Sequence, residues 1–307
     1  DMTSLPRIVF MGSPDFAAPV LKAVAEKYNL VGVVTQPDRP AGRGGTLKPP
    51  AVKETALRLG LPVIQSEKLR APLVMAQLRE WNPDLIIVAA FGQILPPEVL
   101  ELPPYGCINV HASLLPRWRG AAPIQAAILA GDAETGVTII KMDAGVDTGP
   151  LLSQRAITTS PEDTAGTMFE KLAQLGADLL IETLPDYFSG KIQPQAQDDS
   201  HATYAPMLKK EDGLLDFTRP AEELACRVRA FNPWPGAFFE WEGGLFKVHR
   251  ARLSGEKSPG AGSRLIVEGR PAIGTSEGIL ILEEVQPAGK NPRPGKAFLA
   301  GARNWSS

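Results

Sequence analysis

The chain has 307 residues, of which 44% are hydrophobic and 21% are charged, and its formal net charge at pH 7 is -2. These values exclude a largely disordered, collagen-like or coiled-coil chain and predict about two globular domains. The two cysteines, Cys107 and Cys226, are too few for a disulfide framework. No apolar run approaches the ~18 residues of a membrane-spanning helix, and the N-terminus lacks a signal-peptide pattern, so we expect a cytoplasmic protein without membrane contact.

Strands and helices are predicted to alternate through the first half of the chain. Six apolar runs predict strands, at residues 7–12, 30–35, 61–65, 85–90, 106–111 and 136–142. Helical spacing of apolar residues falls at 14–27, 50–59, 71–81 and 123–130. Strands that are apolar throughout are typical of burial on both faces, and alternation with helices is typical of βαβ units. The pattern therefore predicts an α/β fold, with a Rossmann-like, mostly parallel sheet and helices on both faces.

The second half predicts a separate, β-rich domain. A long helix is predicted over 162–188, and residues 191–209 are polar and aperiodic, which predicts a linker between domains at 1–190 and 210–307. Beyond the linker, a helix at 221–231 precedes short strands at 237–239, 245–248, 264–267 and 278–285. Several short strands separated by turn residues favour a small OB-like β-barrel.

Charge is unevenly distributed between the two halves. Residues 208–307 carry 15 Lys and Arg against 12 Asp and Glu, and no acidic residue follows Glu284. This excess fits either a solvated tail or a surface that faces a polyanion, and charge alone does not choose between them.

Several common cofactor and metal motifs are absent. The first strand ends in Met11-Gly12-Ser13-Pro14, which is not the G-x-G-x-x-G fingerprint, so a nicotinamide-dependent dehydrogenase is not supported. No Walker phosphate-binding motif and no C-x-x-C occurs, and His111, His201 and His249 lack the spacing of metal ligands. We therefore expect no metal site.

The candidate site lies at the end of the fifth predicted strand. Asn109 and His111 are two residues apart, so their side chains project to the same face of the strand. They lie at the carboxyl edge of a parallel sheet, where such folds bind ligands. An isolated histidine is more often a structural core residue, but the neighbouring amide and the position favour a site.

A carboxylate partner is expected from the loop that follows the sixth predicted strand. Asp147 lies within the glycine-containing segment 143–149, whereas Asp143 suits turn formation. An Asn, a His and an Asp suit the attack of an amine on a carbonyl-like carbon. Asn109 would donate to the developing oxyanion, His111 would assist it and transfer protons, and Asp147 would orient His111. Cys107 is predicted to be a buried structural thiol.

The run Asn109–Gln125, NVHASLLPRWRGAAPIQ, resembles the methionyl-tRNA formyltransferases within the folate-dependent formyltransferase family. The resemblance extends to residues 35–44, 142–149, 231–235 and 286–290, and thus over essentially the whole chain. It implies transfer of a formyl group from 10-formyltetrahydrofolate, a co-substrate and not a tightly bound cofactor, to the α-amine of initiator methionyl-tRNA. It also implies that Asn109, His111 and Asp147 are catalytic, and we expect a monomer.

The resemblance further implies two sets of binding residues. Those implied for folate are Ala90, Phe91, Gly92, Gln93, Ile94, Leu95, Ser113, Leu114, Leu115, Pro116, Gly145 and Val146. Those implied for tRNA are Arg39, Arg43 and Lys48, in a basic loop over 36–48 that is too long for an ordinary βα turn, and Arg250, Arg252, Lys290, Arg293 and Lys296 in the second domain.

Two alternatives stay open at this point. A sibling enzyme that formylates an aminosugar nucleotide would share the catalytic residues, although the basic loop and the positive second half argue against it. A non-catalytic RNA-binding protein on the same scaffold would not need Asn109, His111 and Asp147 together.

Overall fold

A computed structural model of the chain describes residues 5–41 and 45–307. The described residues form two compact units that do not follow a single cut in the sequence. The first unit takes the chain up to Pro123 together with Glu134–Thr158 and Phe169–Ala205. The second takes Ile124–Ala133, Thr159–Met168 and Pro206–Ser307.

The first two-thirds of the chain contain ten strands and six α-helices among the described residues. The strands are β1 Arg7–Gly12, β2 Asn29–Thr35, β3 Arg39–Ala41, β4 Thr46–Lys48, β5 Val63–Gln65, β6 Leu85–Ala89, β7 Cys107–His111, β8 Arg119–Gly120, β9 Glu134–Lys141 and β10 Leu151–Thr158. The helices are α1 Ala17–Lys27, α2 Ala51–Arg58, α3 Pro72–Trp81, α4 Pro97–Leu100, α5 Pro123–Leu129 and α6 Ala165–Phe188.

A seven-stranded sheet forms the centre of the first unit, in the order β10-β9-β7-β6-β1-β2-β5. The five strands from β7 to β5 are parallel, and β9 and β10 are antiparallel at one edge. This confirms the predicted α/β fold with a mostly parallel sheet. Every residue of β6 is buried, and because neighbouring strand residues point to opposite faces, both faces of the sheet are covered.

The six predicted strands of this region are confirmed, whereas β3, β4, β8, β10 and α4 were not predicted. Along most of strand β10, half-buried residues alternate with exposed ones. Its sequence therefore lacks the continuous apolar run by which the six predicted strands were found. The basic loop forms a hairpin in which β3 pairs antiparallel with β4. Both hairpin strands are fully exposed, so no apolar pattern revealed them.

Helix α6 begins at Ala165, three residues after its predicted start at Glu162. Thr164 and Thr167 explain the later start, because each hydroxyl accepts a hydrogen bond from the other residue's backbone N–H, at 3.2 and 2.9 Å. This reciprocal pair is the arrangement of a capping box and fixes the first turn.

The second unit contains an antiparallel sheet of six strands. Its strands are β12 Ala237–Trp241, β13 Gly244–Ser254, β14 Arg264–Val267, β15 Arg270–Gly274, β16 Ile279–Gln286 and β17 Arg293–Pro294. The same part of the chain contains helices α7 Ala221–Ala230 and α8 Gly295–Gly301. Strand β11, Tyr204–Ala205, lies earlier in the chain and belongs to the first unit. The core of this sheet is aromatic: Phe239, Phe246, Phe298 and Trp305 pack ring against ring. A β-rich domain with an OB-like barrel was predicted here, and the structure shows an antiparallel sheet; β15, β17 and α8 were not predicted.

Among the described residues, no helix combines the length and the apolar character that crossing a membrane requires.

Gly32 on β2 provides a test of the packing between the sheet and α3. A Cβ at this position would lie 2.4 and 2.5 Å from ring atoms of Trp81, which is itself nearly buried. We expect Gly32→Ala to lower the free energy of unfolding by about 1–3 kcal/mol, because the ring must move within a packed core. The measurement is thermal unfolding followed by circular dichroism.

Gly255→Ala is the matched control, because no atom lies within 4 Å of the Cβ it would add. It should melt at the wild-type temperature. A Gly32→Ala protein that melts together with this control would contradict the packing described.

Candidate active site

Asn109 and His111 lie on β7, and Asn109 is paired with Val88 of β6. Their spacing of two residues places both side chains on one face of the strand, as predicted. His111 is only 6% exposed, whereas Asn109 is half-buried. The amide and the imidazole are therefore neighbours at the carboxyl end of a parallel strand.

Both ring nitrogens of His111 face hydrogen-bond acceptors. Nε2 lies 2.9 Å from the carbonyl oxygen of Trp118, and since a carbonyl only accepts, Nε2 is the donor. Nδ1 lies 3.6 Å from Oδ1 of Asp147. A neutral imidazole with its proton on Nε2 would turn a lone pair toward this carboxylate. Only the imidazolium form presents an N–H to both partners.

Asp147 is held by its own contacts and not by His111 alone. Its Oδ2 accepts a hydrogen bond from the backbone N–H of Gly120 at 2.9 Å. Its side chain is 13% exposed, and its φ of +55° lies in the left-handed region, which costs a residue other than glycine roughly 1–2 kcal/mol. The loop therefore stores some strain in order to present this carboxylate.

The loop that carries Asp147 reaches His111 by folding back along the sheet. Because β9 is antiparallel to β7, with Thr138 opposite His111 and Lys141 opposite Ile108, the loop begins beside the first residues of β7. Asp143 forms the turn that was expected of it: Oδ1 accepts from the N–H of Gly145 and from the hydroxyl of Thr148, at 3.0 and 2.6 Å.

The residues implied for folate fall into three loops of the first unit. Residues 90–95 follow β6, so they begin at the same sheet edge as Asn109; Phe91 and Leu95 are buried, whereas Ile94 is exposed. In the second loop, Ser113 is fully buried and its hydroxyl donates to the carbonyl of Arg117 at 2.6 Å. Leu115 is also buried, and Leu114 and Pro116 are half-buried. Gly145 and Val146, in the third loop, are exposed.

The residues implied for tRNA binding differ in their exposure and in whether a carboxylate already pairs with them. Arg39 and Lys48 face each other across the exposed hairpin, and Arg43 lies outside the described residues. Arg252 is engaged by Glu268 and Glu283, and Arg250 lies 3.9 and 3.7 Å from Glu162 and Glu283. Lys290 and Lys296 are exposed, and Arg293 is half-buried; none of these three has an ion pair with a described residue.

Sequence reasoning missed the two backbone groups that complete the site. The carbonyl of Trp118 and the N–H of Gly120 hold His111 and Asp147, and main-chain groups leave no side-chain signal in a sequence. Within the described ranges, no group of three His, Cys, Asp or Glu side chains could hold a metal ion.

Comparison with known proteins decides the family. A family model described as "Formyl transferase" matches residues 6–184, and one described as "Formyl transferase, C-terminal domain" matches residues 207–303. The methionyl-tRNA formyltransferase of Myxococcus xanthus is 49% identical over 300 residues, which cover 97% of this chain and 96% of the relative. The chain belongs to the formyl transferase family. The resemblance drawn from the sequence is thus confirmed.

Further likenesses agree with this assignment. The methionyl-tRNA formyltransferase of Trichlorobacter lovleyi is 48% identical over 299 residues, covering 96% of this chain and 94% of the relative. Among solved structures, HypX from Aquifex aeolicus in complex with tetrahydrofolic acid has a TM-score of 0.64 at 18% identity over 98% of this chain; the chain spans 48% of that protein. Methionyl-tRNA formyltransferase from Clostridium thermocellum has a TM-score of 0.57 at 20% identity, over 82% of this chain and 96% of that one. At such identities the two structures support the fold alone.

Cys107, on the same strand as Asn109 and His111, allows a single test of its burial and of its raised thiol pKa. In this member of the formyl transferase family, burial raises the pKa of Cys107 to about 12, and the side chain is 1% exposed. Its thiolate fraction at pH 8 is then about one part in ten thousand. We expect Ellman's reagent at pH 8 to modify only Cys226 in the native protein and both thiols after denaturation.

Cys226→Ala serves as the control, since the native variant should then show no fast-reacting thiol. Rapid modification of native Cys226→Ala would contradict the burial of Cys107.

Proposed function

We propose that this chain transfers the formyl group of 10-formyltetrahydrofolate to the amino group of initiator methionyl-tRNA, giving N-formylmethionyl-tRNA for translation initiation. The observation that carries the proposal is the near-full-length identity of 48–49% to two proteins named methionyl-tRNA formyltransferase. The folate is a co-substrate that is consumed in each turnover, so no tightly bound cofactor is required.

In the proposed reaction the amine of the methionyl group attacks the formyl carbon. A C–N bond forms, the carbonyl π electrons move to oxygen, and collapse of the tetrahedral intermediate breaks the bond to N10 of the folate. The amine loses one proton and N10 gains one, so the step balances without a further reactant. The catalytic task is to stabilise the oxyanion and to move this proton.

Asn109, His111 and Asp147 are proposed to perform that task. The half-buried amide of Asn109 makes no side-chain hydrogen bond with another described residue, which leaves it able to donate to the oxyanion. His111 would supply an N–H to the same oxygen and serve as the proton carrier. To reach a substrate atom through Nε2, the ring exchanges its bond to the Trp118 carbonyl for one to the substrate. Asp147 would orient the ring from the Nδ1 side.

Folate binding is proposed at the three loops around the carboxyl end of β7. These are residues 90–95, 113–116 and 145–146, which offer backbone groups and apolar walls. A pterin edge is rich in donors and acceptors, so exposed main-chain amides beside buried apolar side chains such as Phe91 and Leu95 suit it.

The remaining assignments complete the proposal. We infer a Rossmann-like catalytic domain over 1–190, a linker over 191–209 and a tRNA-binding domain over 210–307, whose antiparallel sheet would form an OB-like barrel. Arg39, Arg43 and Lys48 would contact tRNA from the first domain, and Arg250, Arg252, Lys290, Arg293 and Lys296 from the second. The enzyme is proposed to act as a monomer in the cytoplasm.

Transfer assays with purified components test the activity and the catalytic residues. The wild-type chain should formylate methionyl-tRNA from 10-formyltetrahydrofolate and should leave an aminosugar nucleotide unmodified. Asn109→Ala and His111→Ala should each lower kcat by about 10²–10³-fold, because each removes a donor aimed at the developing oxyanion. Melting temperatures near that of the wild type would serve as the folding control.

Formylation of the aminosugar nucleotide and not of methionyl-tRNA would refute the proposed acceptor and show an aminosugar formyltransferase. Near-normal turnover by either alanine variant would refute the catalytic assignment.

A second test addresses the basic residues of the second unit. Lys290→Gln/Lys296→Gln should raise the KM for methionyl-tRNA at low salt and leave kcat unchanged, because phosphate contacts contribute affinity and not chemistry. The slope of log affinity against log salt concentration should become shallower by up to about 2 for two lost contacts. Lys257→Gln, which removes another exposed lysine of the same unit, is the matched control. Equal KM values for the double variant and this control would contradict the proposed contacts.

A further inference from the structure

Residues 195–205 lie between the two matched family segments, which end at residue 184 and resume at 207. In the first unit this stretch packs against the loops that carry the partners of His111. Gln195 exchanges both backbone hydrogen bonds with Leu151, at 2.7 and 2.9 Å. Strand β11, Tyr204–Ala205, pairs with β8, Arg119–Gly120. The segment is therefore bonded at both ends to the surroundings of the site.

Gln197 clamps the loop that carries Asp147. Its Nε2 donates to two carbonyl oxygens of that loop, at Asp147 over 2.8 Å and at Gly149 over 2.7 Å. Its Oε1 accepts from Nε and Nη2 of Arg119, at 3.1 and 2.9 Å. All four hydrogen-bonding positions of the amide are filled. Its orientation is unambiguous, because carbonyls cannot donate and a guanidinium cannot accept.

Arg119 links Gln197 to the segment that carries the Trp118 carbonyl, the other partner of His111. It is 3% exposed, and its Nη2 donates to Asp199 at 2.6 Å. A guanidinium buried this deeply is costly unless its hydrogen bonds are made, and Gln197 and Asp199 accept them. Arg119 stands between Trp118, whose carbonyl accepts from His111, and Gly120, whose N–H donates to Asp147.

Thr203 of the same segment holds the Trp118 peptide directly. Its hydroxyl accepts from the backbone N–H of Trp118 at 2.9 Å, and its carbonyl accepts from that of Arg119 at 2.9 Å. The short stretch 197–205 thus restrains both groups that face the ring of His111.

We propose that Gln197 is a positioning residue that keeps the carboxylate of Asp147 against Nδ1 of His111. The left-handed backbone of Asp147 is strained, and the two carbonyl bonds from Gln197 hold the loop in that conformation. Only the expected loss of formyl-transfer activity rests on the proposed function. The environment of the His111 imidazole can be observed by spectroscopy without any turnover.

Gln197→Glu isolates the clamp. The carboxylate keeps an acceptor for Arg119 but turns its other oxygen toward two carbonyl oxygens, so the loop is released while the buried guanidinium stays paired. Gln197→Met is the second variant, which removes the clamp without adding charge. Gln193→Glu makes the same change of charge at an exposed position four residues away and is the matched control.

Two readouts are expected to move together. In ¹³C and ¹⁵N spectra of histidine-labelled protein, the ring signals of His111 should shift in both Gln197 variants, whereas those of His249, a residue of the second unit, stay in place. For formyl transfer, kcat should fall by on the order of 10²-fold, because a misplacement of a reacting group by about 1 Å lowers the rate by that factor in comparable sites. The KM for methionyl-tRNA should be unchanged. Gln193→Glu should match the wild type in both readouts.

Three outcomes would overturn the inference. Unmoved His111 signals in both Gln197 variants would show that the clamp does not reach the ring, and a rise in the KM for methionyl-tRNA with normal kcat would assign Gln197 to binding. Failure of both variants to fold would make the residue a structural one. A wild-type protein that transfers no formyl group refutes the proposed function instead, and the spectra still decide this inference.

Discussion

The site depends on one constraint, a buried imidazole with an acceptor on each side. The Trp118 carbonyl and the Asp147 carboxylate lie at opposite nitrogens of His111, in a position that is almost closed to solvent. A ring nitrogen that is closed off from water loses its solvent partners, so the groups that face it decide how the ring lies. Much of the surrounding structure therefore serves to place two oxygens, and the ring takes its orientation from them.

The groups that place these oxygens are mostly main-chain atoms. The N–H of Gly120 holds one carboxylate oxygen, and the carbonyl of Gly149 shares the clamp with that of Asp147. Glycine is required at 149 because a Cβ there would lie 1.8 Å from the carbonyl oxygen of Lys141. The glycines of this region thus allow backbone to approach backbone, and His111 and Asp147 derive their arrangement from that approach.

The parallel part of the fold and the central pair of the site could be predicted from the sequence, because both leave local patterns. Continuous apolar runs such as 85–90 identify strands covered on both faces, and the two-residue spacing of Asn109 and His111 sets their common face. The antiparallel direction of β9 could not be predicted, since a buried strand has the same composition in either direction. Gln197 could not be found either, because one of three glutamines in a polar stretch acquires its role only from partners 48 to 78 residues away.

The distance along the chain between the clamp and the ring has a consequence for how the protein is made. A ribosome completes β7 long before it reaches residue 205, yet Thr203 and Ala205 supply the acceptors for the peptides of Trp118, Arg119 and Ala121. Until that segment emerges, the backbone N–H groups of Trp118, Arg119 and Ala121 lack the acceptors that they have in the folded protein. The surroundings of His111 are therefore completed late in synthesis, and a nascent chain halted at residue 190 would lack the hydrogen bonds that Gln197, Thr203 and Ala205 make to the loops around the ring.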